Sequence, residues 1–370
     1  MLLSSQRILL LVIFLSVSFS AAVKGQSPTP TPLQTDDTEK IFTEEIKLNV
    51  SALDRNGKFV AGVDKEDLVI MEDGRIHQAD SIRRIPANIL IVLDTGGEMR
   101  QAKNFDHTKK TAENLIHALQ PEDSVAIMQY HDKVEIIAEW TTNKTEALTI
   151  LKTKANFGKR SVFFNALETA TKFLQKSRLD NRHLVLITDG TDTFNNKTQR
   201  DAVMQNLLAT DVNVHVISYT QLERADIEPR TKGIATSPSP KAIPAEVAGQ
   251  MPNGVRDTAV TANILSMNID RVFLRKMRER KQELIDGEKY LAALSKDTNG
   301  EFILPESKEE MLDKPALIAR IIDSSYVVTY APKRALSESE AGEVRIIEVS
   351  SRRPNLQVQA RRKLVVSSKR

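Results

Sequence analysis

Two uninterrupted runs of apolar residues stand in the middle of the chain and predict the centre of a sheet. The first is Ile89–Leu93, and the second fills most of 183–188. A strand that is buried on both faces, as in a parallel sheet, has this unbroken pattern. Segments with helical periodicity alternate with strand-like segments across 87–322. This alternation predicts an α/β domain with a doubly wound, mostly parallel sheet of the Rossmann-like kind.

The segments on either side of this domain have the period-2 pattern of antiparallel strands. In the N-terminal β-unit over 45–86, apolar Ile46, Leu48 and Val50 alternate with polar residues. Each of the two flanking segments is too small and too rich in edges to be stable alone. We therefore expect 45–86 and 323–370 to join in one β-module of five to seven strands. The strands predicted in the C-terminal segment are 326–330, 343–349 and 356–366.

The first 44 residues have the pattern of an export signal followed by a linker. Residues 1–25 combine one basic residue, a 12-residue apolar run over Ile8–Phe19 and a stretch of small residues, as signal peptides do. A membrane-spanning helix needs about 20 apolar residues, so we expect cleavage rather than a retained anchor. No transmembrane span then remains, and the mature protein is expected to be secreted or periplasmic, in the cell envelope. Residues 26–44 form a Pro/Thr-rich linker.

Two segments of the α/β domain are expected to lie at its surface. Residues 222–268 lack periodicity and contain several prolines and serines, which predicts an irregular insertion. A cluster of Lys and Arg over 271–281 falls on a helical stretch, and acidic residues are interspersed with it. We interpret this cluster as a solvated helix face.

Composition excludes several classes of site. The 370 residues contain 52 Lys+Arg and 49 Asp+Glu, and the resulting net charge of +3 is too small to predict nucleic-acid binding. Cysteine is absent and only six histidines occur. Disulfides, thiolate metal sites and cysteine nucleophiles are therefore excluded. No glycine-rich nucleotide-binding motif is present.

Two aspartates are the candidate functional residues of the predicted sheet. Asp94 follows the run Ile89–Leu93, and Asp189 follows the second apolar run. Ligands of open α/β sheets bind outside the carboxyl ends of the strands. Two carboxylates held there repel each other unless a cation or a proton lies between them. Oxygen ligands without His or Cys favour Mg²⁺ or Ca²⁺, whereas ordinary turn chemistry of Asp and Gly remains the alternative.

The segments around these aspartates resemble the three loops of a von Willebrand factor type A domain. The flanking β-segments resemble those of exported bacterial proteins that contain such a domain. The resemblance covers nearly all of 45–366 except 222–268, and it implies the same doubly wound fold. The three matching loops are Ile89–Met99, Ser161–Leu167 and Leu184–Gly190.

The resemblance implies a metal-ion-dependent adhesion site that takes Mg²⁺ or Ca²⁺. The matching positions are Asp94, Gly96, Glu98, Ser161 and Asp189. Gly96 and Glu98 depart from the family pattern, because both positions normally carry a serine hydroxyl. The implied metal ligands are therefore Asp94, Glu98, Ser161 and Asp189. In the family an acidic side chain of a protein partner completes the coordination of the ion.

Three functions remain open at this point. The first is an exported protein-interaction or adhesion module that uses a divalent cation, and the second is a metal-independent scaffold in an envelope complex. In the second case loop N–H groups and the hydroxyls of Thr95, Ser161 or Thr191 should satisfy the two aspartates. The third is an aspartic-protease-type hydrolase that uses Asp94. It is the least favoured, because such enzymes need a second matching aspartate and Asp189-Gly-Thr has its last two residues reversed. We therefore do not expect an enzyme.

Overall fold

The computed structural model describes residues 44–97, 102–177, 179–194, 197–232, 234–238, 263–267 and 270–366. The signal peptide and nearly all of the linker lie outside these ranges. The described strands are β1 (Ile46–Leu53), β2 (Leu68–Glu72), β3 (Arg75–His77), β4 (Ser81–Arg83), β5 (Asn88–Asp94), β6 (Ser124–Tyr130), β7 (Val134–Thr141), β8 (Arg182–Thr188), β9 (Asn213–Ser218), β10 (Ile234–Pro238), β11 (Asn263–Met267), β12 (Phe302–Ile303), β13 (Ser325–Tyr330), β14 (Val344–Ser351), β15 (Gln357–Gln359) and β16 (Lys363–Val365). The described α-helices are α1 (Ala102–Ala118), α2 (Lys144–Lys154), α3 (Phe163–Lys176), α4 (Lys197–Leu208), α5 (Thr220–Ile227), α6 (Arg271–Asp297), α7 (Lys308–Asp313) and α8 (Pro315–Asp323).

A six-stranded sheet forms the centre of the α/β domain, in the order β12-β9-β8-β5-β6-β7. All of its neighbouring strands are parallel except β6 and β7, which are antiparallel. The two apolar runs become β5 and β8, which pair directly with Ile89 opposite His183. The doubly wound, mostly parallel fold predicted from the sequence is confirmed.

Alternate residues of β5 serve two separate cores, one on each face of the sheet. Ile89, Ile91 and Leu93 pack with residues of α1, α2, α7 and α8. Leu90 and Val92 pack on the other face with residues of α3, α4 and α6. Because both faces are covered, every side chain from Ile89 to Leu93 is buried, which explains why this strand has no polar alternation.

The β-module is a sandwich of two four-stranded sheets built from both ends of the described chain. One sheet has the order β15-β1-β13-β4, and the other has the order β16-β14-β2-β3. β1 pairs with β13 with Leu48 opposite Val328, and β14 pairs with β2 with Val349 opposite Ile70. The expected joining of the two segments is therefore observed, with eight strands rather than five to seven.

One strand expected at 356–366 is divided in the structure. β15 pairs with β1, whereas β16 pairs with β14, so the two pieces belong to different sheets. Arg361 lies at the break, where its buried side chain turns towards the α/β domain. The alternating pattern continues across the break because both pieces have one buried face, and periodicity alone cannot reveal such a change of sheet.

The β-module packs against the end of the central sheet where the parallel strands begin. Lys47 forms an ion pair of 2.7 Å with Asp180, which precedes β8. Asn299, which precedes β12, donates to the carbonyl of Asn49 in β1. The guanidinium of Arg361 donates to the carbonyls of Leu208 and Thr210, between the end of α4 and β9. The carboxyl ends of β5 and β8 lie at the opposite edge of the sheet.

The expected insertion at 222–268 contains regular structure in its described part. The end of α5 is followed by a short 3-10 turn, Glu228–Thr231, and β10 pairs with β11 in an antiparallel ladder. These strands contain Ser, Thr, Asn and Pro, so they lack the apolar alternation that would have indicated them. No helix within the described ranges is long and apolar enough to cross a membrane.

Arg361 is expected to hold the two parts of the molecule together. Burial lowers its pKa to about 10 against the opposing charge of Asp211, so the side chain stays charged at neutral pH. Arg361→Met leaves the carbonyl of Thr210 and the partly buried carbonyl of Leu208 without their donor, which should cost about 2–4 kcal/mol of unfolding free energy. Urea denaturation of the mature protein measures this cost. The matched change Arg362→Met, at an exposed neighbour, should cost less than about 0.5 kcal/mol.

A buried histidine pair predicts a loss of stability in acid. His183 Nδ1 and His215 Nε2 are 3.0 Å apart, His183 also bonds to Asn181, and His215 accepts from the N–H of Glu301. Burial lowers the pKa of His215 to about 3, and burial together with His215 lowers the pKa of His183 well below its usual value.

The unfolded chain therefore binds more protons than the folded chain between pH 6.5 and about 3, and stability falls as the pH falls through this window. The expected loss between pH 7.5 and pH 5 is about 2 kcal/mol per histidine. Urea titrations at the two pH values measure it, and His215→Asn should have a smaller pH dependence than the wild type. An unchanged dependence would contradict the assignment.

Candidate functional site

The structure brings the loops of three predicted site residues together at the carboxyl edge of the sheet. Asp94 ends β5, Asp189 follows β8, and Ser161 precedes α3. The Ser161 hydroxyl donates to the carbonyl of Thr191 at 3.0 Å, two residues after Asp189. The charges of Asp94 and Asp189 act on each other. Glu98, the fourth predicted metal ligand, lies outside the described residues.

The carboxylate of Asp94 is buried and accepts hydrogen bonds from its surroundings. The Gly96 N–H donates to one oxygen at 3.1 Å, and the hydroxyls of Tyr130 and Thr188 donate to the other at 3.0 and 3.3 Å. Burial and the charge of Asp189 raise the pKa of Asp94 well above its usual value, and the hydrogen bonds from Gly96 and Tyr130 oppose the rise. The carboxylate of Asp94 therefore lies in the interior of the site and not at its surface.

Asp189 is fully buried and forms an ion pair with an arginine. One carboxylate oxygen accepts from the N–H and the hydroxyl of Thr191, each at 2.8 Å. The other oxygen lies 2.7 Å from Nη2 of Arg280 in α6. The Arg280 guanidinium thus forms an ion pair with the carboxylate that, in the family pattern, would be a metal ligand.

Arg280 connects Asp189 with a second acidic residue. Its Nε and Nη2 donate to Glu223 in α5 at 3.1 and 2.8 Å, and its Nη1 donates to the Thr191 hydroxyl at 2.7 Å. Burial would lower the pKa of Arg280, but Asp189 and Glu223 outweigh it and the pKa is raised. Burial and the charge of Asp189 raise the pKa of Glu223 to about 7, although Arg280 opposes both.

Two glycines allow α6 to approach the Asp189 loop closely enough for this contact. A Cβ at Gly287 would lie 2.7 Å from the Asp189 carbonyl oxygen, and one at Gly190 would lie 2.7 Å from the Leu291 side chain. Gly190 also has a positive φ of 71°, which favours glycine. Gly287 follows Arg280 by seven residues, so both lie on the same face of the helix. The close approach therefore directs Arg280 at Asp189.

Gly96 occupies the position where the family pattern has a serine. A Cβ there would lie 1.8 Å from the carbonyl oxygen of Arg160, so this backbone has no room for any side chain. Among the described residues, no group of three or more His, Asp or Glu is arranged to hold a metal ion. Taken with the Arg280 ion pair, the described donor set does not fit the metal site that the family implies.

A groove of about 620 Å³ lies beside Ser161, Thr191 and Arg280. Its lining includes the exposed cations Lys159, Arg160 and Lys276 and the apolar side chains of Ile227, Phe273 and Met277. Phe194 is 60% exposed nearby, and the guanidinium of Arg160 lies over its ring. The carboxyl edge therefore presents basic and apolar groups together.

Residues 89–191 match the family model of the von Willebrand factor type A domain, and this segment includes Asp94, Ser161 and Asp189. This protein contains a von Willebrand factor type A (VWA) domain. The family expected from the sequence is confirmed by this match and by the fold. No curated protein matches the chain in sequence.

Several solved structures are similar to parts of this chain at low sequence identity. A von Willebrand factor type A protein from Catenulispora acidiphila is 8% identical, with a TM-score of 0.39 over 88% of this chain and 74% of its own. An aerotolerance-related membrane protein from Bacteroides fragilis is 15% identical, with a TM-score of 0.36 over 64% and 98%. The PilB minor pilin from Streptococcus sanguinis is 10% identical, with a TM-score of 0.38 over 65% and 62%.

Sequence reasoning did not single out Arg280, Glu223 or Tyr130. Arg280 belongs to the basic cluster at 271–281, which we expected to be a solvated helix face. That expectation is wrong for Arg280, because Gly287 and Gly190 bring its turn of α6 onto the Asp189 loop. Most neighbouring cations of the cluster are exposed as expected. The glycine one heptad after Arg280 is the one sequence signal of the contact.

Removing the Arg280 charge should destabilise the protein, because Asp189 and Glu223 would stay buried without their cation. Arg280→Met keeps the aliphatic part and should lower the unfolding free energy by about 2–4 kcal/mol, since partial exposure reduces the full cost of breaking a buried pair. The loss should be smaller at pH 5.5 than at pH 8, because Glu223 can then bind a proton.

Arg275→Met is the matched control on the same helix. Arg275 is 70% exposed and pairs with the surface residue Glu279, so the expected change is below about 0.5 kcal/mol. Urea denaturation of the three proteins at both pH values tests the ion pair. Equal stabilities of the two variants would contradict it.

Proposed function

We propose that this protein is an exported protein-interaction module whose VWA domain binds a protein partner without a divalent cation. VWA domains generally act in protein–protein interaction. The observation that carries the proposal is the 2.7 Å contact between Arg280 and the buried Asp189. The guanidinium supplies the positive charge that a metal ion would otherwise supply beside these carboxylates. The metal-independent scaffold thus becomes the favoured alternative.

The groove beside Arg280 is the proposed contact surface. Lys159, Arg160 and Lys276 are exposed around apolar Phe273 and Met277. A partner that offers an acidic side chain next to apolar residues would match both features. Aromatic residues and arginine are frequent at the centres of protein interfaces, and the exposed pair Phe194 and Arg160 is of this kind.

Export and a non-enzymatic role complete the proposal. The signal-like pattern of residues 1–25 supports a secreted or periplasmic location in the cell envelope. The buried position of Asp94 and the pairing of Asp189 with Arg280 argue against the protease alternative, which needs two aspartates that share one proton.

The cation-dependent adhesion site stays a prediction. It would use Asp94, Glu98, Ser161 and Asp189 to hold Mg²⁺ or Ca²⁺, and it would require Asp189 to exchange its bond with Arg280 for a bond with the ion. A rearrangement of α6 would have to accompany that exchange, because Arg280 also binds Glu223 and Thr191.

Melting temperatures with Mg²⁺, Ca²⁺ or Mn²⁺ and with chelator distinguish the two modes. Since Arg280 already compensates Asp189, no cation should shift the melting temperature of the wild type. A ligand bound at 100 times its Kd would stabilise the folded state by about 2.7 kcal/mol, which such a scan resolves. Asp189→Ala is the control, and a wild-type shift that this change abolishes would support the ion site against our proposal.

Partner capture tests the proposed contact surface. Mature protein on beads should retain its partner equally in Mg²⁺ and in chelator. The double change Lys159→Glu with Arg160→Glu should lose the partner, whereas Lys152→Glu with Lys172→Glu, at exposed sites on other helices, should retain it. Loss of the partner on chelation would contradict cation independence.

A further inference from the structure

A second groove, of about 960 Å³, lies where the α/β domain meets the β-module. One wall is the last turns of α6 and the start of β12, and the other is formed by β14, β15 and β16. Asn299 and Gly300, which precede β12, are part of its lining, so the groove lies at the opposite end of the central strands from Asp189. The VWA contact surface proposed above therefore does not include it.

Two outer strands border this groove. β12 is the last strand of the six-stranded sheet, and β15 is the last strand of its four-stranded sheet. Phe302 of β12 and Val358 and Gln359 of β15 line the groove. An outer strand presents backbone N–H and C=O groups that a further strand can pair with. Asn299 already donates to the carbonyl of Gln359, so the edge that the groove offers to an extended peptide is at Val358.

Apolar side chains continue from the groove onto the outer face of the adjoining sheet. Ile346, which lines the groove, is 45% exposed, and Val344 on the same face of β14 is 47% exposed. Glu348 pairs with Met71, which pairs with Ile76, so the 56% exposed Ile76 lies on this face as well. Large exposed apolar side chains gathered on one face indicate an interaction surface.

The charges of the groove favour an acidic ligand. Lys363 is paired with Asp297 at 2.8 Å. Lys296 and Arg362 are exposed, and within the described part of the chain neither has an ion-pair partner. Glu348 is the one further acid of the lining. Residues 349–366 contain five basic residues and no acidic residue, namely Arg352, Arg353, Arg361, Arg362 and Lys363.

We propose that this groove binds an extended, acidic segment of a partner protein as an added strand along the outer edge of β15. Apolar side chains of the segment pack on Ile346, and its carboxylates pair with Lys296 and Arg362. Main-chain hydrogen bonds supply affinity in this mode, and alternate side chains supply specificity.

The probe is a fluorescein-labelled, C-amidated octapeptide that alternates glutamate with valine, and the mature protein is titrated into it while anisotropy is measured. We expect saturable binding that weakens as salt is raised. An octapeptide with lysine in place of glutamate should bind at least ten times more weakly. Absence of binding by the glutamate peptide, or equal binding by the lysine peptide, overturns the proposal.

Variants assign the binding to the groove. Lys296→Glu with Arg362→Glu should weaken the glutamate peptide at least tenfold. The matched reversal Lys152→Glu with Lys172→Glu, on exposed helical positions elsewhere, should leave binding unchanged. Circular dichroism of both variants checks that they are folded. Equal binding by the groove variant overturns the proposal.

A modified peptide separates strand addition from simple charge attraction. N-methylation of every second residue keeps the side chains and removes the N–H donors of one edge. We expect binding to be lost with methylation in one of the two alternating registers and kept in the other. Equal binding by the peptides methylated in either register overturns strand addition.

Two other occupants are outcomes of the same experiments. A concentration-dependent dimer in sedimentation that Lys296→Glu with Arg362→Glu abolishes would assign the groove to a second copy of the chain. Stronger peptide binding after Asp36, Asp37 and Glu39 are all changed to the corresponding amides would assign it to the chain's own N-terminal segment. Either result overturns the proposal of a separate partner.

Discussion

The ion pair between Arg280 and Asp189 is the interaction on which the carboxyl edge of this VWA domain depends. Asp94, Asp189 and Glu223 place three carboxyl groups in a largely buried space. Burying such charge without compensation costs several kcal/mol for each group. One guanidinium that contacts Asp189, Glu223 and the Thr191 hydroxyl compensates much of this cost. Arginine suits the task because its planar donors can reach several acceptors at once.

The same contact fixes how the longest described helix lies on the sheet. Arg280 joins α6 to the Asp189 loop and to α5, and Gly287 and Gly190 remove the side chains that would separate helix and loop. A metal ion at this edge would compensate the carboxylates without Arg280, so the charge of the site would not depend on α6. Because Arg280 is a residue of α6, the positive charge of the site moves with the helix. The electrostatics of the site and the position of α6 therefore cannot change separately.

The sequence predicts the scaffold of this site well and its charge compensation poorly. Unbroken apolar runs identify β5 and β8, and parallel pairing then brings Asp94 and Asp189 to one edge. Helical periodicity does not distinguish Arg280 from the other Lys and Arg residues of 271–281, because it predicts the exposed face for all of them. Only the packing of α6 at Gly287 distinguishes it. The division of 356–366 between two sheets escaped prediction for a similar reason, since it depends on where Arg361 is anchored.

The two proposed binding surfaces lie at opposite ends of the central strands. β5 and β8 have seven residues each, which separates their ends by about 20 Å at 3.3 Å per residue. Ligands on the two surfaces therefore need not exclude each other. The strands between them are paired throughout and buried on both faces, and a close-packed core of this kind resists continuous deformation. The two proposals together therefore imply that one partner can bind at each end of the central strands.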